Sequence, residues 1–429
     1  MRTMSLIATP SPTRGFRNRQ GASPWRKALV WWDPWRVDIA SLLFAAVFGS
    51  LYWSGWATDY PMYRLWGGVF ATGAVSMLFY LWAAGPARDA VRKTAYVALL
   101  AWSAVGGLVG GLMSRAFDSC PDIMSQCGSQ MEVPIVERAA SLWLATGSPY
   151  LPIVNMPGAV VTDYNPYSPG MMLFGMPAAL FGQSWVTDMR VWSAVFTVAC
   201  FVWAWRMFPG QVNPPVVALR WLSVAPPVAL SFASSGVDLP VIAAAVLATS
   251  AVVARRYFVA GAALGFALGL KLTAAPIVFV VLMLFVARRD ALGAAKTLFT
   301  FVPAVAVVYF PVLAMDLEGF LENTVRYTTG SSVLTSVAAS PTPGHLLSLV
   351  PTAGPYLSLG VLFATAAGIL VYVCVRPPAT AAAALQYAGW SLLAAMLVMP
   401  ASRIGYIIYP VVFLAVAASL PKVRKPAGA

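Results

Sequence analysis

The chain has 429 residues, 59% of them hydrophobic and only 10% charged, with a mean hydropathy of +0.74. That composition excludes an ordinary soluble domain and points to an all-α polytopic membrane protein, a bundle of spanning helices. The net charge of +13 would suit nucleic acid in a soluble protein. Here retention of Lys and Arg on the cytoplasmic side of a membrane explains it better, and nucleic acid is not an expected partner.

Residues 1–38 are polar and basic, with Arg2, Arg14, Arg17, Arg19, Arg26, Lys27 and Arg36. They lack an early apolar core and a small-residue cleavage site, so they read as a cytoplasmic tail ending in the interfacial cluster Trp31, Trp32 and Trp35. Residues 39–114 carry three spans, near 39–57, 65–84 and 95–114. The GLVGG of 107–111 reads as helix-packing glycine. Residues 115–165 form a long outer loop. Residues 166–314 form a transmembrane core with apolar runs near 166–182, 190–207, 216–234, 237–253, 257–270, 272–287 and 297–314. A second outer loop covers 315–355. Spans near 356–375, 380–398 and 404–420 make up residues 356–420, and 421–429 is a cytoplasmic tail.

The runs amount to about 12–13 spans, with both termini inside. Arg88, Arg92, Lys93, Arg206, Arg220, Arg255, Arg256, Arg288, Arg289, Lys296 and Arg376 then fall on the cytoplasmic side, and most of the acids fall outside. The run 166–182 is broken by Pro169, Gly170, Gly175 and Pro177, and is expected to be a re-entrant or tilted half-span. No internal repeat of the kind common in transporters is evident.

The first outer loop holds Asp118, Asp122, Cys120 and Cys127. The cysteines are disulfide candidates on an oxidising face, with two free thiols as the alternative. Cys200 and Cys374 sit in apolar runs and read as packing residues. The stretch SQMEVPIVERAASLWLATGSPY (129–150) has Val133, Val136, Ala140, Trp143 and Leu144 near helical spacing. It predicts an amphipathic helix laid on the outer membrane surface, with Glu137 on its solvated face. The only histidine, His345, has no partner histidine for a metal site, although a carboxylate-bound divalent ion stays open. No G-x-G-x-x-G or Walker loop supports nucleotide binding.

Several motifs, in order, resemble a known family. They are Glu132, Arg138 and GSPY (147–150) on the surface helix, then NPYSPG (165–170). Asp238, Gly261 and Lys271 follow within residues 235–278, then ENTVRYTTGSS (322–332) and PASRIGYIIYP (400–410). Together they resemble the C-type (GT-C) polyprenyl-phosphate-sugar-dependent glycosyltransferases, closest to the actinobacterial mannosyltransferases of glycosyltransferase family 87. The sequence departs from the family in having Glu132 in place of Asp, Tyr167-Ser168-Pro169 in place of Tyr-Pro-Pro, and two extra spans ahead of the motif loop.

The resemblance implies a GT-C-like helical bundle in the plasma membrane with its active site on the extracytoplasmic face. It implies transfer of a sugar, mannose above others, from a polyprenyl-phosphate carrier to a glycolipid or glycan acceptor, with no prosthetic group required. Glu132 is then the candidate base. The alternatives are a helix-end role for Glu132 or a base at Asp118 or Asp122. Lys271, Arg326, Arg403 and Arg138 are candidate contacts to the donor phosphate, because Arg suits phosphate geometry; a surface ion pair is as good a reading of Arg138. Asp238 supports, with a plain Asp238–Lys271 ion pair as the alternative. Tyr150, Tyr164 and Tyr167 are candidate groove residues. The rival functions are a transporter or flippase of a lipid-linked sugar, which would place charges near mid-membrane, and a non-enzymatic envelope scaffold.

Overall fold

The computed structural model describes residues 34–85, 88–117, 128–210 and 212–421. Asp118, Asp122, Cys120 and Cys127 lie outside the described residues, so the alternative base and the disulfide expected there are not placed. The structure is 77% helical, with no strand among the described residues.

Two long helices, α1 (Pro34–Trp53) and α2 (Pro61–Ala84), form a hairpin. Small residues let them approach: a Cβ at Gly49 would meet the Gly67 carbonyl at 2.6 Å, and one at Gly67 would meet Tyr52 Cβ at 2.5 Å. Helix α3 runs through Asp89–Ala101, a π-turn at Trp102–Gly106 and Gly107–Phe117. Next come α4 (Glu132–Thr146), a 3₁₀ turn at Pro169–Phe174, α5 (Met176–Phe181) and α6 (Met189–Met207).

Helices α7 (Val216–Val224) and α8 (Pro226–Ser234) are one apolar segment bent by 49°. Pro226 and Pro227 cannot donate to the preceding turn, and Ala225 ahead of them is extended, which breaks the helix there. Helices α9 (Asp238–Val253), α10 (Tyr257–Leu270), α11 (Ala275–Arg288) and α12 (Ala291–Met315) complete the middle of the chain. The second outer loop is itself helical at α13 (Leu317–Phe320, continued by a π-turn at Leu321–Arg326) and α14 (Pro343–Ser348). The chain ends with α15 (Gly354–Val375), α16 (Ala381–Val398) and α17 (Ile408–Ser419).

Helix α9 is the axis of the bundle. Every residue from Leu239 to Val252 is buried, against α6, α10, α16 and α17. Gly261 and Gly265 on α10 face the α12 backbone and Ala304, so that crossing is also glycine-mediated. The outer helices are apolar on the outside: Phe299, Val307 and Phe310 of α12 are 73%, 75% and 72% exposed, as a lipid-facing surface requires.

Six described helices are long and apolar enough to cross a bilayer alone, or seven if α7 and α8 are one bent span. Others, including α9, α10, α11 and residues 404–419, are apolar but shorter. The run expected as a half-span at 166–182 is two short pieces, the 3₁₀ turn and α5, and is not a continuous helix. The surface-helix reading of 129–150 also needs correction. The first turns of α4 are buried against the 3₁₀ turn and α5, and Glu137, expected on a solvated face, is 2% exposed. Arg115 and the Met189 amide hold it there, as described below. Cys200 is buried as expected, whereas Cys374 is exposed on α15.

Candidate active site

Four chain breaks bring charged side chains to one end of the bundle. Asp238 begins α9, and Lys271 sits in extended conformation where α10 ends before a 3₁₀ turn. Glu132 begins α4, and Arg403 is extended ahead of α17. All four line a single cavity of about 2060 Å³.

Lys271 Nζ donates to Asp238 Oδ1 at 2.6 Å, and the Tyr409 hydroxyl donates to the same oxygen at 2.7 Å. The ammonium also lies over the Tyr406 ring, 4.7 Å from its centre, and 5.7 Å from that of Tyr167. The ion pair anticipated for Asp238 and Lys271 is therefore present, but it is part of the cavity wall. Arg403 Nη1 donates to Glu132 Oε1 at 2.5 Å. The other carboxylate oxygen, Oε2, is buried with no hydrogen-bond partner. Burial alone would weaken the hold of the Arg403 guanidinium on its proton, but the Glu132 charge more than offsets this and raises its pKa.

The loops that carry these groups are stitched together. Ser340 N donates to Ser402 O at 2.9 Å and Ile404 N to Ser340 Oγ at 3.0 Å, which fixes the backbone on both sides of Arg403. The NPYSPG turn is held similarly. Asn165 N donates to Asn323 Oδ1 and Asn165 Nδ2 to Pro149 O. Tyr150 Oη donates to Tyr167 O, and Ser168 N to Leu270 O. Tyr167 is thereby pressed against Lys271.

The remaining predicted residues divide. Tyr164 lines the cavity and stacks on Tyr327 with ring centres 4.4 Å apart, while its hydroxyl donates to Glu322 Oε1 at 2.7 Å. Burial raises its pKa first, and the Glu322 carboxylate adds to this. Burial would raise Glu322 too, but the Val333 amide, the Tyr164 hydroxyl and Arg326 outweigh it and hold the carboxyl below its usual range. Tyr150 is buried behind the wall, against Phe320. Arg326 is not brought to the cavity; it pairs with Glu318 and, at 3.3 Å, with Glu322. Arg138 binds the Thr162 and Asp163 carbonyls at 2.9 Å and Asp163 Oδ1 at 3.4 Å, fastening α4 to the turn. His345 Nδ1 lies 2.9 Å from Pro400 O. Among the described residues no three His, Cys, Asp or Glu side chains gather as a metal site would require.

Sequence reasoning missed two groups. Tyr406 and Tyr409 lie one helical turn apart just after Arg403 in PASRIGYIIYP, and that spacing was the available signal. The other is a buried ion network behind α4. Arg115 bridges Glu137 (2.6 Å) and Asp188 (2.6 Å), and Arg190 binds Asp188 through both Nε and Nη2 at 2.9 Å. Glu137 also accepts from Met189 N at 3.2 Å. Arg115 and residues 188–190, from other segments, build this network, so local sequence carried no sign of it.

The model of glycosyltransferase family 87 matches residues 165–400, more than half of the chain. The chain belongs to glycosyltransferase family 87. It is a membrane glycosyltransferase. No curated protein and no solved structure matches it. Tyr167, Asp238 and Lys271 lie inside the family 87 match, whereas Glu132, Arg403 and helices α1 to α4 lie outside it.

Proposed function

We propose that this family 87 enzyme transfers mannose from a polyprenyl-phosphate carrier to a glycolipid or glycan hydroxyl on the non-cytoplasmic face of the plasma membrane. The observation that carries the reading is the Glu132 carboxylate. One oxygen is fixed by Arg403 and the other is buried and unpartnered, on a side chain that lines the charged end of a largely apolar cavity. The choice of mannose and of the carrier rests on the family resemblance.

In the proposed step the acceptor oxygen attacks the anomeric carbon of the bound sugar, and its proton passes to the Glu132 carboxylate. The bond between that carbon and the phosphate oxygen breaks, and the electron pair leaves with the polyprenyl phosphate. A phosphate is a competent leaving group without protonation, so a second carboxyl acting as acid is not needed. One displacement then inverts the anomeric centre. Lys271 and the donors of Arg403 not used by Glu132 meet the charge that develops on the phosphate. Asp238, Tyr409 and Tyr406 hold the lysine in place, and the Tyr164–Tyr327 pair offers a stacking face for a sugar ring.

The test is transfer in membranes or nanodiscs supplied with polyprenyl-phosphate mannose. Glu132→Gln is expected to lower kcat by roughly 10²–10⁴-fold, the usual worth of a general base, with little change in KM for the donor. A folded Glu132→Gln protein with the wild-type rate would sink the base assignment. Transfer from a nucleotide-activated sugar, and none from the lipid-linked one, would sink the donor.

A further inference from the structure

The same cavity has a second polar end. One face of α1 lines it from Arg36 through Ala40, Phe44 and Phe48 to Tyr52, a spacing of four residues throughout. At 1.5 Å per residue that face is roughly 24 Å long, most of a hydrocarbon core of about 30 Å. Opposite it, the bent pair α7–α8 lines the cavity from Arg220 and Trp221 to Ser234. Between the two ends the wall is apolar, and at the end remote from Lys271 it is cationic again.

Asp38 organises that remote end. It is fully buried and accepts from Tyr96 Oη at 2.7 Å, from Arg92 Nε, and more loosely from Arg220 Nη1 at 3.5 Å. Asp38 thus faces the guanidinium groups of Arg92 and Arg220, and Asp89 also pairs with Arg92 at 3.1 Å. Of these charged groups only Arg220, with Arg36 two residues from Asp38 on α1, lines the cavity, and no carboxylate among the described residues does at that end. The exposed indole of Trp221 beside Arg220 is a side chain suited to the depth of lipid headgroups.

We infer that this end is a binding site for an anionic phospholipid of the leaflet remote from the transferase centre. Its phosphate lies at Arg36 and Arg220, and an acyl chain lies along the Ala40–Phe48 face of α1. Charge selects the headgroup, because each nearby Arg attracts an anionic lipid and a guanidinium can hold two phosphate oxygens. The length of the groove selects a lipid over a free phosphate, since the arginines open onto apolar wall. A cavity of about 2060 Å³ exceeds the roughly 300–1,000 Å³ of a site for one small ligand, so a bound phospholipid leaves space for a substrate at the Lys271 end.

The experiment is native mass spectrometry of the full-length protein, delipidated in detergent and titrated with phosphatidylglycerol or phosphatidylcholine. One phosphatidylglycerol is expected to bind in preference to phosphatidylcholine, and glycerol phosphate is not expected to displace it. Arg36→Gln and Arg220→Gln should each weaken retention about fivefold, whereas Lys271→Gln should leave it unchanged. Arg36→Lys and Arg220→Lys, which keep the charge, should each recover most of the affinity lost in the corresponding Gln variant. Equal retention of the two lipids, wild-type affinity in Arg36→Gln, or displacement by glycerol phosphate overturns the inference.

Discussion

Glu132 and Glu137 are five residues apart on one helix, and their surroundings give them opposite parts. Glu132 lines the cavity and keeps one buried oxygen unpartnered, while both oxygens of Glu137 are occupied by Arg115. A carboxylate with no free lone pair at the substrate is poorly placed as a base and well placed as an anchor. Removing one partner of a buried ion pair strands the other charge, at a cost of about 3–5 kcal/mol. Arg115→Ala is therefore expected to destabilise the protein by that amount in a detergent thermal-shift or denaturation series. Arg138→Ala, which loses a longer ion pair and two carbonyl contacts on a half-buried side chain, should cost clearly less. Equal costs would show that the network does not anchor α4. Acidic residues on an apolar helix were legible in the sequence. Which of them faced the cavity was not, because Arg115 and the 188–190 segment come from far along the chain.

At the scale of elements, most helix positions were readable because apolar runs and their breakers are local. The runs at 65–84, 237–253, 257–270 and 380–398 correspond to α2, α9, α10 and α16 within a few residues. The segments that differ are those where tertiary contacts compete with hydropathy. Residues 166–182 are apolar enough to suggest a span. However, Pro169, the bond from Ser168 N to Leu270 O and the one Ser168 Oγ accepts from the Tyr309 hydroxyl hold the chain as a turn beneath Lys271. The glycine contacts were foreseeable as a type but not as pairs. Gly67→Leu places a side chain where Tyr52 Cβ and the Gly49 carbonyl already sit. Overpacking of this kind is expected to cost about 1–3 kcal/mol or more, and to loosen the α1–α2 hairpin. The check is a lowered melting temperature with faster proteolysis at residues 54–60; an unchanged Tm would show that the hairpin yields without cost.

For the whole molecule, connectivity places the two chemistries at opposite ends. Asp238 begins α9 and Arg255 and Arg256 follow it; Lys271 precedes α11, and Arg288 and Arg289 close that helix. The basic turns therefore lie at the end away from the candidate active site, which supports the extracytoplasmic orientation proposed for it. An impermeant maleimide applied to intact cells should label Gly158→Cys, in the loop near the site, and spare Lys296→Cys until the membrane is opened. The reverse pattern would place the site on the cytoplasmic face.

The sequence by itself determined that this is a helical membrane protein, where most of its helices run, and that carboxylates and cations recur in the resembling motifs. Those properties are local: hydropathy, helix breakers and residue type act over a few turns of chain. Only the tertiary structure decided that Glu132 meets Arg403 across the chain, that Tyr406 and Tyr409 hold Lys271 and Asp238, and that Arg326 stands apart. Each of those pairings joins segments separated by more than 130 residues or by a chain break, and no local propensity encodes which distant partner a charge will find once the helices pack.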